Sequence, residues 1–144
     1  MFPPPLSHIV HTFLLRVRSL VSTCERGFSV KVISIKENHI FRRLYAKGKT
    51  AATPCLALYC RRNGRQYSRL GITVSAKLGK AVLRNKLRRR IREIYRLHQE
   101  EILPGWDIVA VARVRAVHSS YSALERSFLS AADKLELRPK GKNP

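Results

Sequence analysis

Between Val82 and Gln99, apolar residues return at steps of three and four: Leu83, Leu87, Ile91 and Ile94, with His98 extending the series. That interval is the repeat of one helix face, so the segment is predicted to be an amphipathic helix docked on a core. A second helical period, Tyr121, Leu124, Phe128, Ala131, Ala132 and Leu135, predicts a closing helix that ends near Leu137. Ile40, Phe41, Leu44 and Tyr45 mark a short helix upstream, with Gly48 as its stop. Strand patterns fill the intervals. Cys55 to Arg61 and Tyr67 to Ser75 flank Arg62-Asn63-Gly64-Arg65, whose Asn-Gly pair predicts an antiparallel hairpin, and Trp106 to Arg113 reads as a buried strand. The predicted order is helix, two or three strands, helix, strand, helix, which makes a sheet covered by helices.

Charge changes the picture of the middle helix. Its run KAVLRNKLRRRIREIYR, from Lys80 to Arg96, holds eight cations and one acid, Glu93. At about 100° per residue, Arg84, Arg88, Arg92 and Arg96 form a ridge beside the apolar stripe, with Asn85 and Arg89 completing a solvent arc and Lys86 and Arg90 on the other flank. Like charges at this spacing repel by a few tenths of a kcal/mol, roughly, per pair, so the ridge is not built for the helix's own stability. Most charge runs are solvated faces, but those usually alternate in sign, and this one does not. The chain as a whole has 29 Lys and Arg against 9 Asp and Glu over 144 residues, a formal charge of +20. A nucleic acid is the default partner for such a balance. The basic helix lacks the Trp and Phe of a membrane-surface helix, and no apolar run approaches the roughly 20 residues of a membrane span.

Catalytic chemistry is not evident. His39, His98 and His118 are isolated, and the few acids form no obvious pair. Leu78-Gly79-Lys80-Ala81 lacks both the first glycine and the hydroxyl of a nucleotide-binding phosphate loop. Cys24, Cys55 and Cys60 have no zinc-ligand spacing and read as free thiols of a reducing, cytoplasmic compartment. Phe41, Tyr45 and Tyr59 lie near cations, the arrangement that stacks unpaired bases; packing explains Phe41 equally well but suits Tyr45 and Tyr59 less, because their hydroxyls need solvent or a partner. Trp106 is assigned to packing.

Lys80-Ala81-Val82-Leu83-Arg84-Asn85-Lys86-Leu87-Arg88-Arg89, followed by Ile91-Arg92-Glu93, resembles the signature helix of the bacterial ribonuclease P protein subunit. Phe41-Arg42-Arg43-Leu44-Tyr45 with Gly48, then Tyr59, Gly71-Ile72-Thr73-Val74-Ser75 with Lys77, and Trp106-Asp107-Ile108-Val109 fit that family in order, so the resemblance spans about Ser34 to Leu137. It implies an α/β fold, an α+β sandwich of the ribosomal protein S5 domain 2-like type. Its order is αβββαβα, with a mostly antiparallel sheet and a left-handed βαβ crossover, against the usual hand. It further implies that a large RNA, using magnesium, cuts the 5′ leader from precursor tRNA, and that the protein carries no catalytic residue and holds no metal firmly. Lys77, Lys80, Arg84, Asn85, Lys86, Arg88, Arg89 and Arg92 would contact that RNA in a one-to-one complex that could itself dimerise. Phe41, Tyr45 and Tyr59 would line the cleft for the leader. A ribosomal or general RNA-binding protein explains the charge but not this ordered set of positions, and a membrane-active or DNA-compacting protein explains neither the cleft nor Asn85.

Two positions depart from the family. Lys86 stands where Arg is usual and loses the bidentate fork. Arg90 replaces a commonly apolar residue, which predicts a wetter helix edge. The domain is expected over residues 35–137, followed by a disordered basic tail over 138–144 and preceded by an extension over 1–34, disordered or untranslated. Family members commonly begin just before the first helix, which implies a start near Val30 from an alternative codon read as Met. Intact-mass measurement of the native protein is expected to show the shorter species, and a mass of 16.5 kDa would exclude it.

Overall fold

The computed structural model describes residues 31–139. The expectations for residues 1–30, including the start near Val30 and the thiol of Cys24, lie outside the described residues, as does the tail from residue 140 onward.

Helix α1 (Asn38–Lys47) leads into strands β1 (Lys49–Ala52), β2 (Leu56–Arg62) and β3 (Arg69–Thr73). A 3-10 turn at Ala76–Leu78 precedes helix α2 (Ala81–His98), and another at Gln99–Glu101 precedes strand β4 (Trp106–Ala112). A short helix α3 (Val114–His118), which the sequence pattern does not predict, and helix α4 (Tyr121–Lys134) complete the chain. The fold is therefore the expected α/β arrangement, with a four-stranded, mostly antiparallel sheet.

The sheet order is β1-β2-β4-β3. This corrects the predicted hairpin: β2 and β3 do not pair with each other, because β4 lies between them, antiparallel to β2 and parallel to β3. The Asn-Gly turn is real, with Gly64 at φ 69°, but it joins strands that part to admit a more apolar third. β4 is the strand suited to that position, since Trp106 to Ala110 and Ala112 are all buried.

Alternation then sorts the two faces. Leu56, Leu58 and Cys60 of β2 point with Ile108 and Ala110 of β4 and Leu70 of β3 into the main core. There they meet Leu87, Ile91, Ile94 and Tyr95 of α2 and Leu124, Phe128, Ala131 and Ala132 of α4. The Tyr95 and Phe128 rings cross edge-on at 6.4 Å. The predicted stripe on α2 holds except at its start: Leu83 is 42% exposed, and Tyr95, not in the predicted stripe, is fully buried. The first turn of α2 lies against the Ala76–Leu78 turn, and Leu83 sits close to Gly79, where a Cβ would come within 3.1 Å of it.

On the opposite face, α1 presses Leu44 against Val109, joined by Ile35 and by the half-buried Ile40, Phe41, Tyr59 and Val111. Ile33 and Ile35 exchange backbone hydrogen bonds with Leu70 (2.9 and 3.0 Å), so ordered pairing starts ahead of the expected boundary at residue 35. At the other end, Glu136 takes a left-handed conformation (φ 56°), and the N–H groups of Glu136 and Leu137 return to the carbonyls of Asp133 and Ala132. This wrapped helix end buries Leu137 completely. Arg138 is not part of a loose tail, because its guanidinium bridges Glu101 at 2.7 Å and Asp133 at 3.0 Å.

Burial pushes the Cys60 thiol from 9.0 up to about 11, against the lowering effect of Lys49, and pushes the Tyr95 hydroxyl from 10.0 up to about 12. Both groups ionise earlier in the unfolded chain, so their share of stability is complete below pH 9 and is lost as pH rises toward the buried values. Urea unfolding is expected to be flat in midpoint between pH 7 and 8 and weaker by about 1 kcal/mol at pH 10. Alkylation of Cys60 at pH 8 is expected only after unfolding.

Candidate nucleic-acid interface

Two surfaces gather the residues singled out in the sequence, on opposite faces of the sheet. The first is the exposed side of α2. No acid lies in its first turn, and Lys80, at the N-cap, offers no side-chain cap. The positive end of the helix dipole is thus surrounded by more positive charge, the reverse of what an isolated helix favours. Lys77 sits on the preceding 3-10 turn, where its N–H is held by the Ser75 hydroxyl. Asn85, Lys86 and Arg89 line one shallow depression with Val82 and Arg90, about 470 Å³ in volume. Val82 itself is 78% exposed, an apolar spot among cations that periodicity did not single out.

Neutral groups hold several of these cations in place. The Asn85 side-chain carbonyl accepts a hydrogen bond from Arg88 at 3.1 Å, which gives the asparagine a positioning role. Arg90 donates to the Ser119 carbonyl at the end of α3 (3.3 Å) and is half-buried, so the edge predicted to be wet is closed by a long side chain. Arg84 is also half-buried, and its Nε finds no acceptor among the described residues. Arg96 is the exception in the ridge: it forms a two-pronged pair with Glu93 at 2.9 and 2.5 Å, while Arg84, Arg88 and Arg92 have no acidic partner among the described residues. That pairing holds Glu93 below the usual carboxylate range. Lys80, Lys86, Arg89 and Arg92 are exposed.

The second surface lies beside α1. One flank of that helix carries Phe41 and Tyr45, a turn apart. The Tyr45 ring meets the Tyr59 ring edge-on at 5.0 Å, and its hydroxyl shares a 2.8 Å hydrogen bond with the Thr73 hydroxyl. Phe41 lies over Gly71, where a Cβ would come within 2.7 Å of its ring. The three predicted aromatics therefore do converge. Phe41 is half core and half wall, while Tyr45 remains 42% exposed. Thr73 and Gly71 support these rings; the sequence placed both in the family match but gave neither a role at the aromatic site.

The architecture defines a small α/β protein with one polycationic helix and one aromatic cluster beside α1, and comparison with known proteins gives it a family. Residues 30–136 match the family model described as Ribonuclease P, and the chain belongs to that family. It is 39% identical over 103 residues to the Ribonuclease P protein component of Alkaliphilus oremlandii, covering 72% of this chain and 90% of the relative. The counterpart from Clostridioides difficile is 39% identical over 104 residues, covering 72% and 91%. Among solved structures, the RNase P protein of Staphylococcus aureus superposes with a TM-score of 0.70 at 36% identity, over 76% of this chain and all of that one. The protein from Thermotoga maritima gives 0.63 at 33%, over 67% and 92%.

The close fit of Phe41 over Gly71 is testable. Gly71→Ala is expected to destabilise the protein by ~1–3 kcal/mol in urea unfolding through overpacking. Adding Phe41→Leu is expected to recover part of that loss, a coupling that independent sites would not show.

Proposed function

We propose that this protein component of ribonuclease P docks on the catalytic RNA through α2 and the turn before it, and holds the 5′ leader of precursor tRNA in the aromatic cleft. The RNA side uses Lys77, Lys80, Arg84, Asn85, Lys86, Arg88, Arg89 and Arg92, and the leader side uses Phe41, Tyr45 and Tyr59. The observation that carries the reading is the unneutralised charge of α2. Arg88 and Arg90 are fixed by an amide and a backbone carbonyl rather than by acids, so at these positions phosphates can replace counterions without breaking ion pairs first. The buried Arg84 Nε lacks an acceptor, and a phosphate oxygen would supply one.

In this division of labour the catalytic centre and its magnesium belong to the RNA. The protein neutralises RNA phosphates and positions the leader so that the scissile bond lies at the RNA's metal site. The edge-on Tyr45 and Tyr59 rings offer apolar faces to unpaired bases, and stacking of that kind is tolerant of sequence, as a leader-binding site must be. The working complex is one protein on one RNA, in the cytoplasm. Among the described residues no helix is long and apolar enough to cross a membrane.

Reconstitution with a bacterial ribonuclease P RNA at low magnesium is expected to stimulate leader removal above RNA alone, and absence of stimulation would overturn the reading. Arg84→Ala and Arg88→Ala are each expected to weaken assembly and lower its salt slope by about 1. Tyr59→Ala is expected to weaken binding of precursor tRNA while sparing mature tRNA, by ~1–3 kcal/mol for a missing base stack. Equal weakening for both tRNAs would count against the cleft.

A further inference from the structure

The flank of α1 turned away from Phe41 and Tyr45 faces a cavity of about 350 Å³, closed on the other side by the end of β2 and the loop to β3. His39, Arg43, Arg61, Arg62, Arg65 and Arg69 line it, with Glu37 and Asp107. Both acids are already engaged by one cation. Arg69 donates to the two Asp107 oxygens at 2.8 and 2.7 Å and approaches Glu37 at 3.6 Å. Arg43, Arg61, Arg62 and Arg65 have no acidic partner among the described residues, so four positive charges converge on the cavity without compensation.

The surroundings hold two of these charges, Arg62 and Arg65, in place without cancelling them. The Arg62 guanidinium lies 5.2 Å from the centre of the Trp106 ring. That of Arg65 lies 5.7 Å from the Tyr67 ring centre and donates to the Tyr67 hydroxyl at 2.7 Å. Asn63 stiffens the loop by donating to Asp107 and to the Tyr67 carbonyl, and by accepting from the Arg65 N–H. Cations fixed by rings, amides and hydroxyls are pre-organised for an anion, because little side-chain freedom is lost when it arrives. Guanidinium forks favour phosphate oxygens in particular.

We propose that this cavity is a second RNA site, which takes a backbone phosphate of the same single strand whose bases stack in the aromatic cleft. Arg61 lies two residues from Tyr59 on the same face of β2, about 7 Å away at the rise of a strand. Arg61 therefore links the cavity to the place where Tyr45 meets Tyr59. The catalytic RNA is assigned to α2 on the opposite face of the sheet, which leaves the leader as the strand within reach. This inference rests on the leader occupying the cleft.

The test uses the reconstituted holoenzyme and precursor tRNAs whose leaders are lengthened one nucleotide at a time. Wild-type affinity is expected to rise with leader length. A holoenzyme carrying Arg61→Gln and Arg65→Gln is expected to match wild type on the shortest leaders and to bind the longest about tenfold more weakly, with a salt slope lower by about 1 for each phosphate that is no longer neutralised. A variant that follows wild type at every length overturns the inference and leaves the cleft reading intact. Equal weakening at all lengths, or weaker assembly with the RNA alone, assigns the cations to the catalytic RNA and overturns it as well. A wild-type enzyme indifferent to leader length overturns the cleft reading and this inference together.

Discussion

The structure depends on β4 being buried on both faces. Ile108 and Ala110 turn toward α2 and α4 while Val109 turns toward α1, so this one strand belongs to both hydrophobic clusters. Its two edges are taken by β2 and β3, running in opposite senses. The polar start of the strand is secured by Asp107, whose carboxylate receives Arg69 from β3 and Asn63 from the loop after β2. A buried acid with a two-pronged guanidinium and an amide leaves little of its hydrogen-bonding capacity unmet. Both α2 on one face and the aromatic cleft on the other take their positions from this strand.

A net charge of +20 on a small chain sets the second constraint. Self-repulsion of that size opposes compaction, and among the described residues four acids are paired with arginines in structural roles: Asp107 with Arg69, Glu93 with Arg96, and Glu101 and Asp133 with Arg138. Four other arginines, Arg62, Arg65, Arg88 and Arg90, are steered by neutral groups. Asn85, Ser119, Tyr67 and Trp106 each fix a guanidinium without reducing its charge. Stability and recognition thereby use different partners for the same residue type.

Much of this was legible in the sequence because it is local. The period of α2 and α4, the stop at Gly48 and the turn at Asn63-Gly64 follow from neighbours within a few residues, and the structure keeps them. Strand order is not local. The signal at Asn63-Gly64 specifies that the chain reverses, not which strand fills the space between its arms, and only the greater apolarity of Trp106 to Ala112 hinted at the answer. Leu83 followed the helical period perfectly yet remains exposed, because burial depends on what lies beneath a helix turn. The three cleft aromatics were found through family resemblance and chemistry together. Gly71 and Thr73 belong to the family match, but their contacts with Phe41 and Tyr45 are non-local and appear only once α1 packs across β3. Arg61 was legible only as a cation near Tyr59 and Arg65 only as a turn residue, because the cavity that they line forms when α1 packs beside the end of β2.

The separation of β2 from β3 by a later strand also sets an order of events in time. During synthesis both strands emerge before their shared partner, and each must wait, with unpaired edges, for α2 and then β4 to follow. Native sheet pairing is thus a late, non-local step, which raises contact order and slows folding relative to a simple hairpin. Open apolar edges are where nascent chains aggregate, and dense positive charge on the same segments keeps such chains apart. The arginines around β2 and its loop, whatever they bind in the finished protein, guard its strands while the sheet is still incomplete.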